Sequence, residues 1–280
     1  MRNRKLFIPL MLAAPAVVTL LVLFVGPQLL LLRGSLLNKS GAISLGNYEK
    51  FLFDPFYHEI LWRTVQLSVV VTLISAVLGY PAAYLLARTR SRYRGLLMIA
   101  TIFPFLVSAL VRSYGWMVWL GNNGVLNQLL RSLHLVEEPV KLMYDIKGVA
   151  IGLVHILLPY MILSLAAIIQ TIDPALEDAC HSLGAGGWQT FRRVIFPLSV
   201  PGLIAGSVLV FCISMTAFVT PQLLGGPTVK VTSTMVYQNV QVTFDWAMAA
   251  ALASVLLVVT LGIVAVSQRL LGRVGRGGAS

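Results

Sequence analysis

The sequence contains few charged residues. Of its 280 residues, 11% are Asp, Glu, Lys or Arg and 58% are hydrophobic. A typical soluble domain has about 25% charged and about 45–50% apolar residues. The interior of a soluble fold of this length has no room for so much apolar surface. We therefore interpret the chain as an integral membrane protein.

The side chains that build catalytic and metal centres are also scarce. The two cysteines, Cys180 and Cys212, lie in a polar segment and in an apolar run, which predicts no disulfide. The sequence has no metal-ligand spacing, no phosphate-binding G-x-x-x-x-G-K-[ST] loop and no H-E-x-x-H or G-x-S-x-G motif. We therefore expect no catalytic residue, no metal site and no cofactor bound by this chain. An enzyme would need its acid, base or nucleophile assembled in one place, and the histidines are scattered: His58, His134, His155 and His181.

Six apolar runs have the length of membrane-spanning helices, and alternation typical of a β-barrel is absent. Their approximate bounds are 6–32, 61–87, 96–120, 148–172, 200–219 and 246–266. The first run is too long for the apolar region of a cleaved signal peptide, so we expect it to be retained. The runs predict an all-α membrane protein with an N-terminal helix over 1–32, a periplasmic loop over 33–60, a five-helix core over 61–270 and a cytoplasmic tail over 271–280.

The net charge of +11 comes from basic residues at the ends of the apolar runs. They cluster before the first run, after the second, where Arg88, Arg90, Arg92 and Arg94 lie, and in the tail. Such clusters stay on the cytoplasmic side of a membrane. The excess of charge therefore indicates orientation in a bilayer, with both termini cytoplasmic, and does not indicate nucleic-acid binding.

The polar segment 173–197 separates the fourth and fifth runs. Asp173 and Pro174 are favoured at a helix start, and Gly184 permits a sharp turn. A second short helix is predicted from Trp188, with Pro197 as its end. The first helix carries an apolar ridge at helical spacing, formed by Leu176, Ala179, Cys180 and Leu183. Lipid cannot cover a ridge outside the membrane, whereas a second protein can.

This segment resembles the EAA loop of permease subunits of ATP-binding cassette (ABC) importers that work with a binding protein. The pattern of that loop is Glu-Ala-Ala, three residues, Gly, nine residues, Ile, one residue and Leu-Pro. Ala179, Gly184 and Pro197 match it. The other positions carry conservative replacements, namely Asp178, Cys180, Val194 and Phe196. An ordinary amphipathic cytoplasmic loop is the alternative interpretation.

The resemblance implies the type I ABC importer permease fold, with a cytoplasmic coupling helix. It also implies a second homologous permease subunit, two ATPase subunits that hold ATP and Mg, and a periplasmic solute-binding protein. This chain would not itself be an enzyme. The residues implied in ATPase coupling are Leu176, Asp178, Ala179, Cys180, Leu183, Gly184, Arg192 and Pro197.

Two further stretches are candidates for a substrate pathway. Arg112 lies inside the third run with Tyr114 and Trp116 close by. An arginine in a span is expected to face protein, water or a partner subunit, or alternatively to snorkel to the outer interface beside these aromatic residues. The stretch resembles an Arg-aromatic run of polyamine-type permeases.

The second stretch, 217–227, resembles a run of the spermidine/putrescine branch. Pro221 frees a backbone carbonyl there, and non-helical backbone at membrane depth is tolerated only against protein or water. Phe218, Thr220 and Gln222 are therefore pathway candidates, with a plain Gly-rich span end as the alternative. In the fourth span, His155 is more typical of a structural hydrogen bond than of a ligand site.

The resemblance implies import of a polyamine across the inner membrane. No Asp or Glu lies inside any run, and the nearest are Glu59 and Asp245. Another solute of the same branch, such as an opine, a phosphonate or an amino-acid-like compound, is the alternative. A channel or stand-alone secondary transporter is disfavoured, because the runs contain no carboxylate for an ion or proton site.

Overall fold

The structure is a computed structural model that describes residues 14–15, 17–37, 42–89 and 92–277, with side chains as far as Arg269. In these ranges the only extended pairing is an isolated antiparallel bridge between Leu37 and Ile43. The predicted all-α class is confirmed. The basic residues Arg2, Arg4 and Lys5, the start of the first predicted span, Arg90 and the end of the tail lie outside the described residues.

The helices are numbered here in chain order. They are α1 (Val17–Ser35), α2 (Gly46–Phe53), α3 (Pro55–Arg88), α4 (Tyr93–Leu106), α5 (Ala109–Leu120), α6 (Val125–Ser132), α7 (Ile146–Thr171), α8 (Ala175–Ser182), α9 (Gly187–Thr216), α10 (Thr232–Gln241) and α11 (Trp246–Gly277). One-turn π-helical segments lie at Leu21–Val25 in α1, at Phe191–Ile195 in α9 and at Pro221–Gly225 after α9.

Five of the described helices are long and apolar enough to cross a bilayer, namely α1, α3, α7, α9 and α11. The remaining predicted crossing is broken, because α4 meets the helical stretch that begins with α5 at an angle of 98°. The third predicted span, over 96–120, is therefore bent and consists of two helices. Val107 is extended, and the Ser108 hydroxyl accepts a hydrogen bond from the Leu110 N–H at 3.3 Å. Serine is a favoured N-cap, so a new helix begins there.

Helix ends differ from the ends of the apolar runs. The first span continues to Ser35, the second begins at Pro55, and the last remains helical to Gly277. Hydropathy marks only the apolar part of a helix, whereas backbone hydrogen bonding continues into the polar residues beside it. The predicted loop 33–60 thus contains α2, which is tied to the end of α1. The Asn47 amide donates to the carbonyls of Ser35 and Leu37, and the Ser35 and Tyr48 hydroxyls lie 2.6 Å apart.

The chain forms two compact units, one of Met1–His58 with Met235–Leu257 and one of Glu59–Thr234 with Val258–Ser280. The second unit has its core around α7. The buried side chains of this helix recur on successive turns, at Val149, Leu153, Leu157, Met161, Leu165 and Ile169. The α9 helix packs along α7. This core fixes the places where the 173–197 segment begins and ends.

Glycines bring α9 and α7 close together. A Cβ atom added at Gly202 would lie 2.8 Å from two side-chain atoms of Ile168 and 3.3 Å from the Ser164 carbonyl oxygen. By contrast, a Cβ atom at Gly262, in the exposed part of α11, would meet nothing within 4 Å. The two positions form a matched pair, because both are helical glycines.

We predict that Gly202→Ala destabilises the protein by about 1–3 kcal/mol through overpacking. Gly262→Ala gains helix propensity of up to about 1 kcal/mol and meets no clash. Thermal unfolding of the detergent-solubilised protein compares the two. Equal melting temperatures for both variants would contradict the close approach at Gly202.

Candidate functional site

The 173–197 segment begins as its sequence predicts. The Asp173 carboxylate accepts a hydrogen bond from the Ala175 N–H at 2.9 Å, and α8 follows directly. An acid at a helix start satisfies an N–H group that has no partner within the helix, and it also favours the helix dipole. The start of α8 therefore lies immediately after the end of the fourth span.

The turn after α8 requires glycine. Gly184 has a φ angle of +82°, in the left-handed region. The Ala185 N–H donates to the Cys180 carbonyl at 3.0 Å, and the Gly184 N–H donates to the His181 carbonyl at 2.9 Å. This pair of bonds is the Schellman motif, which satisfies the last carbonyls of a helix and reverses the chain.

The prediction of a second short helix that begins at Trp188 and ends at Pro197 was wrong. The chain does not form a separate short helix that Pro197 stops, because α9 continues from Gly187 through Pro197 to Thr216. The turn before the proline is π-helical, and the Phe196 N–H bonds to the Phe191 carbonyl. This wider turn displaces the carbonyls that a proline ring would meet in a regular helix. Pro197 and Arg192 thus lie exposed on the first turns of a long span.

The predicted apolar ridge of α8 is largely exposed. Leu183 is 88% exposed and Leu176 is 44% exposed. Ala179, Asp178 and Gly184 are exposed as well, and Cys180 is half-buried. Trp188, in the first turn of α9, is 73% exposed. The segment therefore presents a short apolar surface that no part of the described chain covers.

The acid that the fold buries is Glu177, which sequence reasoning missed. Its carboxylate pairs with Arg88 at the end of α3, at 2.5 Å, and accepts a hydrogen bond from the Tyr84 hydroxyl at 2.9 Å. The side chains of Arg88 and Glu177 are 17% and 15% exposed. Arg88 also donates to the Ile172 carbonyl at the end of the fourth span, at 3.0 Å. We call Tyr84, Arg88 and Glu177 the anchor cluster, because it attaches α8 to the ends of α3 and α7.

Aromatic rings attach the start of α9 to α3. Phe191 stacks on Trp188 with ring centroids 5.3 Å apart and meets the edge of Tyr80 at 5.2 Å. The hydroxyls of Tyr80 and Ser199 lie 2.5 Å apart, both on buried side chains. A hydrophobic groove of about 690 Å³ runs beside these rings. Both halves of the segment are thus packed against the same span.

The second group of candidates lies beside the middle of α7, away from the 173–197 segment. Trp116 meets the edge of His155 with ring centroids 5.5 Å apart, and the Ser113 and Thr220 hydroxyls are 3.1 Å apart. These contacts bring α5 to α7 and to the 217–222 stretch. Arg112 is half-buried, within electrostatic range of His155 and Tyr160.

The remaining pathway candidates differ in how far they are buried. Thr220 is buried and Phe218 is partly buried, whereas Gln222 and Tyr114 are exposed. Helix α9 ends at Thr216, Ala217 is extended, and a π-helical turn follows from Pro221. The backbone is thus irregular at the stretch where the sequence predicts a break. His155 contacts the ring of Trp116, a contact that the sequence did not indicate.

Comparison with known proteins gives consistent results. Residues 75–275 match the family described as "Binding-protein-dependent transport system inner membrane component". The spermidine/putrescine transport system permease protein PotB of Escherichia coli is 36% identical over 250 residues, which cover 87% of this chain and 90% of that protein. The PotB protein of Haemophilus influenzae is 35% identical over 233 residues, 81% of each chain.

A solved structure shares the fold. It is the crystal structure of a bacterial alginate ABC transporter in complex with an alginate pentasaccharide-bound periplasmic protein. The likeness has a TM-score of 0.81, covers 97% of this chain and 96% of that one, and comes with 20% sequence identity. The architecture predicted from the resemblance, a type I ABC transporter permease, is confirmed.

We predict that Gly184→Val lowers solute uptake several-fold and that Gly184→Asn retains most of it. A β-branched residue at positive φ is strained by about 1–3 kcal/mol, whereas asparagine adopts this conformation. The Cβ position at Gly184 is open, so no clash within the chain contributes. Uptake by cells with the complete transport system, normalised to membrane-inserted protein, measures the effect. Equal losses in both variants would contradict a requirement for the left-handed backbone.

Proposed function

We propose that this chain, which belongs to the family of binding-protein-dependent transport system inner membrane components, is the permease subunit of an ATP-driven importer of polyamines such as spermidine or putrescine. The proposed substrate rests on the 36% identity to the E. coli spermidine/putrescine permease protein, over nearly the full length of both chains. The family itself accounts for a multi-pass protein of the inner membrane that transports solute and is not an enzyme.

The energy source in this proposal is a separate ATPase. The apolar surface formed by Leu176, Leu183 and Trp188 is exposed at the end of two spans, next to the charged residues Asp178 and Arg192. A surface with charges beside apolar groups suits a protein groove better than lipid tails. We assign this surface to the docking of an ATPase subunit, which holds ATP and Mg.

The anchor cluster supports transmission of force. An exposed ridge on a loosely attached loop would move without moving the spans. Here Glu177 and Arg88 form a largely buried ion pair, and breaking such a pair costs about 3–5 kcal/mol because one charge is left uncompensated. Displacement of α8 by the ATPase is therefore passed to α3 and α7, and the aromatic contacts of Phe191 pass it to α9.

The remaining partners follow from the architecture of the family. A second homologous permease completes the translocation path, two ATPase subunits dock on the cytoplasmic side, and a periplasmic solute-binding protein delivers the solute. The basic residues Arg88, Arg92 and Arg94 support a cytoplasmic position for the loop after the second span, by the positive-inside rule. With six crossings, counting the bent pair as one, both termini are cytoplasmic.

One observation favours a second candidate substrate class. Arg112 lies beside α7 in the pathway region, and an arginine favours an anionic group over a polycation. An importer of a carboxylate-bearing or phosphonate-bearing solute is therefore the alternative. In the polyamine case, aromatic faces such as Trp116 would contact the ammonium groups.

Reconstitution of the complete complex in proteoliposomes tests the proposal. We expect ATP-dependent uptake of labelled spermidine or putrescine that requires the binding protein, the ATPase subunits and both permeases. Liposomes with this chain alone are the control and should take up none. Uptake by this chain alone along an ion gradient would contradict the importer function. Uptake of anionic solutes without polyamines would contradict the substrate and retain the importer.

A further inference from the structure

Arg112 carries buried hydrogen-bond donors that have no acceptor. Its Nε and Nη1 atoms are both buried and without a hydrogen-bond partner among the described residues. A buried guanidinium normally pairs with a carboxylate or with carbonyl groups, because its charge is costly away from water. The chain as it stands leaves this requirement unmet.

Arg112 lies deep in the membrane. Trp116, one turn after Arg112 on α5, meets the ring of His155 on α7 with centroids 5.5 Å apart, and His155 is nine residues from the end of that helix at Ile146. At about 1.5 Å per residue, this position is roughly 14 Å along a span whose hydrocarbon layer is about 30 Å thick. Lipid headgroups therefore lie too far away to supply the missing acceptor.

The chain has no acid that reaches this depth. The sequence contains no Asp or Glu between Glu59 and Glu137, between Asp145 and Asp173, or after Asp245. Asp145 is the nearest of these along α7, and its carboxylate already accepts from the Lys147 N–H at 2.8 Å at the helix start. It lies ten residues, about 15 Å, before His155. The counter-charge for Arg112 must therefore come from another molecule.

We propose that Arg112 forms an ion pair at the centre of the membrane with a carboxylate of the second permease subunit. The choice of that subunit rests on the proposed function, because a polyamine has no carboxylate to offer. Arg112 lies on a helix whose outer face is open, with Tyr114 and Trp119 both about half exposed. Arg112 itself is only partly buried, so the part of its guanidinium beyond Nε and Nη1 is accessible to a neighbouring span. The pair positions the two permeases against each other at the depth where the solute crosses.

The test uses the whole complex, purified through a tag on the second permease. Arg112→Gln removes the charge, Arg112→Lys retains it, and Arg131→Gln, at an exposed arginine of α6, is the matched control. We expect Arg112→Gln to weaken the association of the two permeases on the order of tenfold or more without solute, because a buried carboxylate is left unpaired. The Lys variant should lose less, and the control should behave as wild type.

A rescue experiment separates pairing from a general structural role. Each Asp or Glu in the spans of the second permease is changed to Asn or Gln in the Arg112→Gln background. We expect one such change to restore the association of the two permeases, because the double variant lacks both the Arg112 charge and the charge of its partner carboxylate. A residue with only a packing role would show no rescue.

Two other outcomes have distinct meanings. If association without solute is unchanged but the KM for solute in stimulated ATP hydrolysis rises, the carboxylate belongs to the solute. That result would overturn the second-permease pairing and the polyamine substrate while leaving the importer function intact. If Arg112→Gln leaves association and KM unchanged, or increases stability as removal of an uncompensated charge does, no carboxylate meets Arg112 and the proposal fails.

Discussion

The buried ion pair between Glu177 and Arg88 determines where the exposed ridge lies. Without it, α8 would be attached to the spans through its two chain ends and through the backbone turn at Gly184. With it, the helix is held to the end of α3, and the same arginine reaches the carbonyl of Ile172 at the end of α7. A single guanidinium therefore joins three elements. The ridge becomes a rigid extension of two spans, and such an extension can transmit a force.

The α7 helix connects the two functional regions. One end of it meets the anchor cluster, its middle meets Trp116 through His155, and it is the most buried of the described candidate spans. A close-packed helix of this kind moves as a body, because its side chains cannot repack singly. On this account, displacement of the ridge and rearrangement near the membrane centre are linked through one helix.

Features with a local physical cause were predictable from the sequence. Hydropathy predicts the crossings, the left-handed turn follows from Gly184, and the start of α8 follows from Asp173. Features that depend on contacts between distant residues were not predictable. Arg88 is explained by the positive-inside rule alone, so nothing in the sequence indicates that it pairs with Glu177, 89 positions later.

One wrong prediction and one bend that the sequence did not indicate have the same origin. Proline usually ends a helix, and the π-helical turn before Pro197 that removes this conflict has no clear signature in the sequence. The 98° bend at Ser108 depends on the choice between continuing α4 and capping α5, which tertiary packing decides. Arg112 is a different case. The sequence already shows that no apolar run contains an Asp or Glu, but only the structure shows that Arg112 has buried nitrogen atoms without an acceptor.

A double-mutant cycle on the anchor pair tests the central claim most directly. The variants are Arg88→Met, Glu177→Leu and the combination, each measured as ATP-driven uptake per membrane-inserted complex. Each single change leaves a buried charge without its partner, whereas the double change leaves an apolar contact. We predict that each single variant loses most of its uptake and that the double variant retains more than either one. Full uptake in the single variants, or simply additive losses in the double variant, would contradict the account.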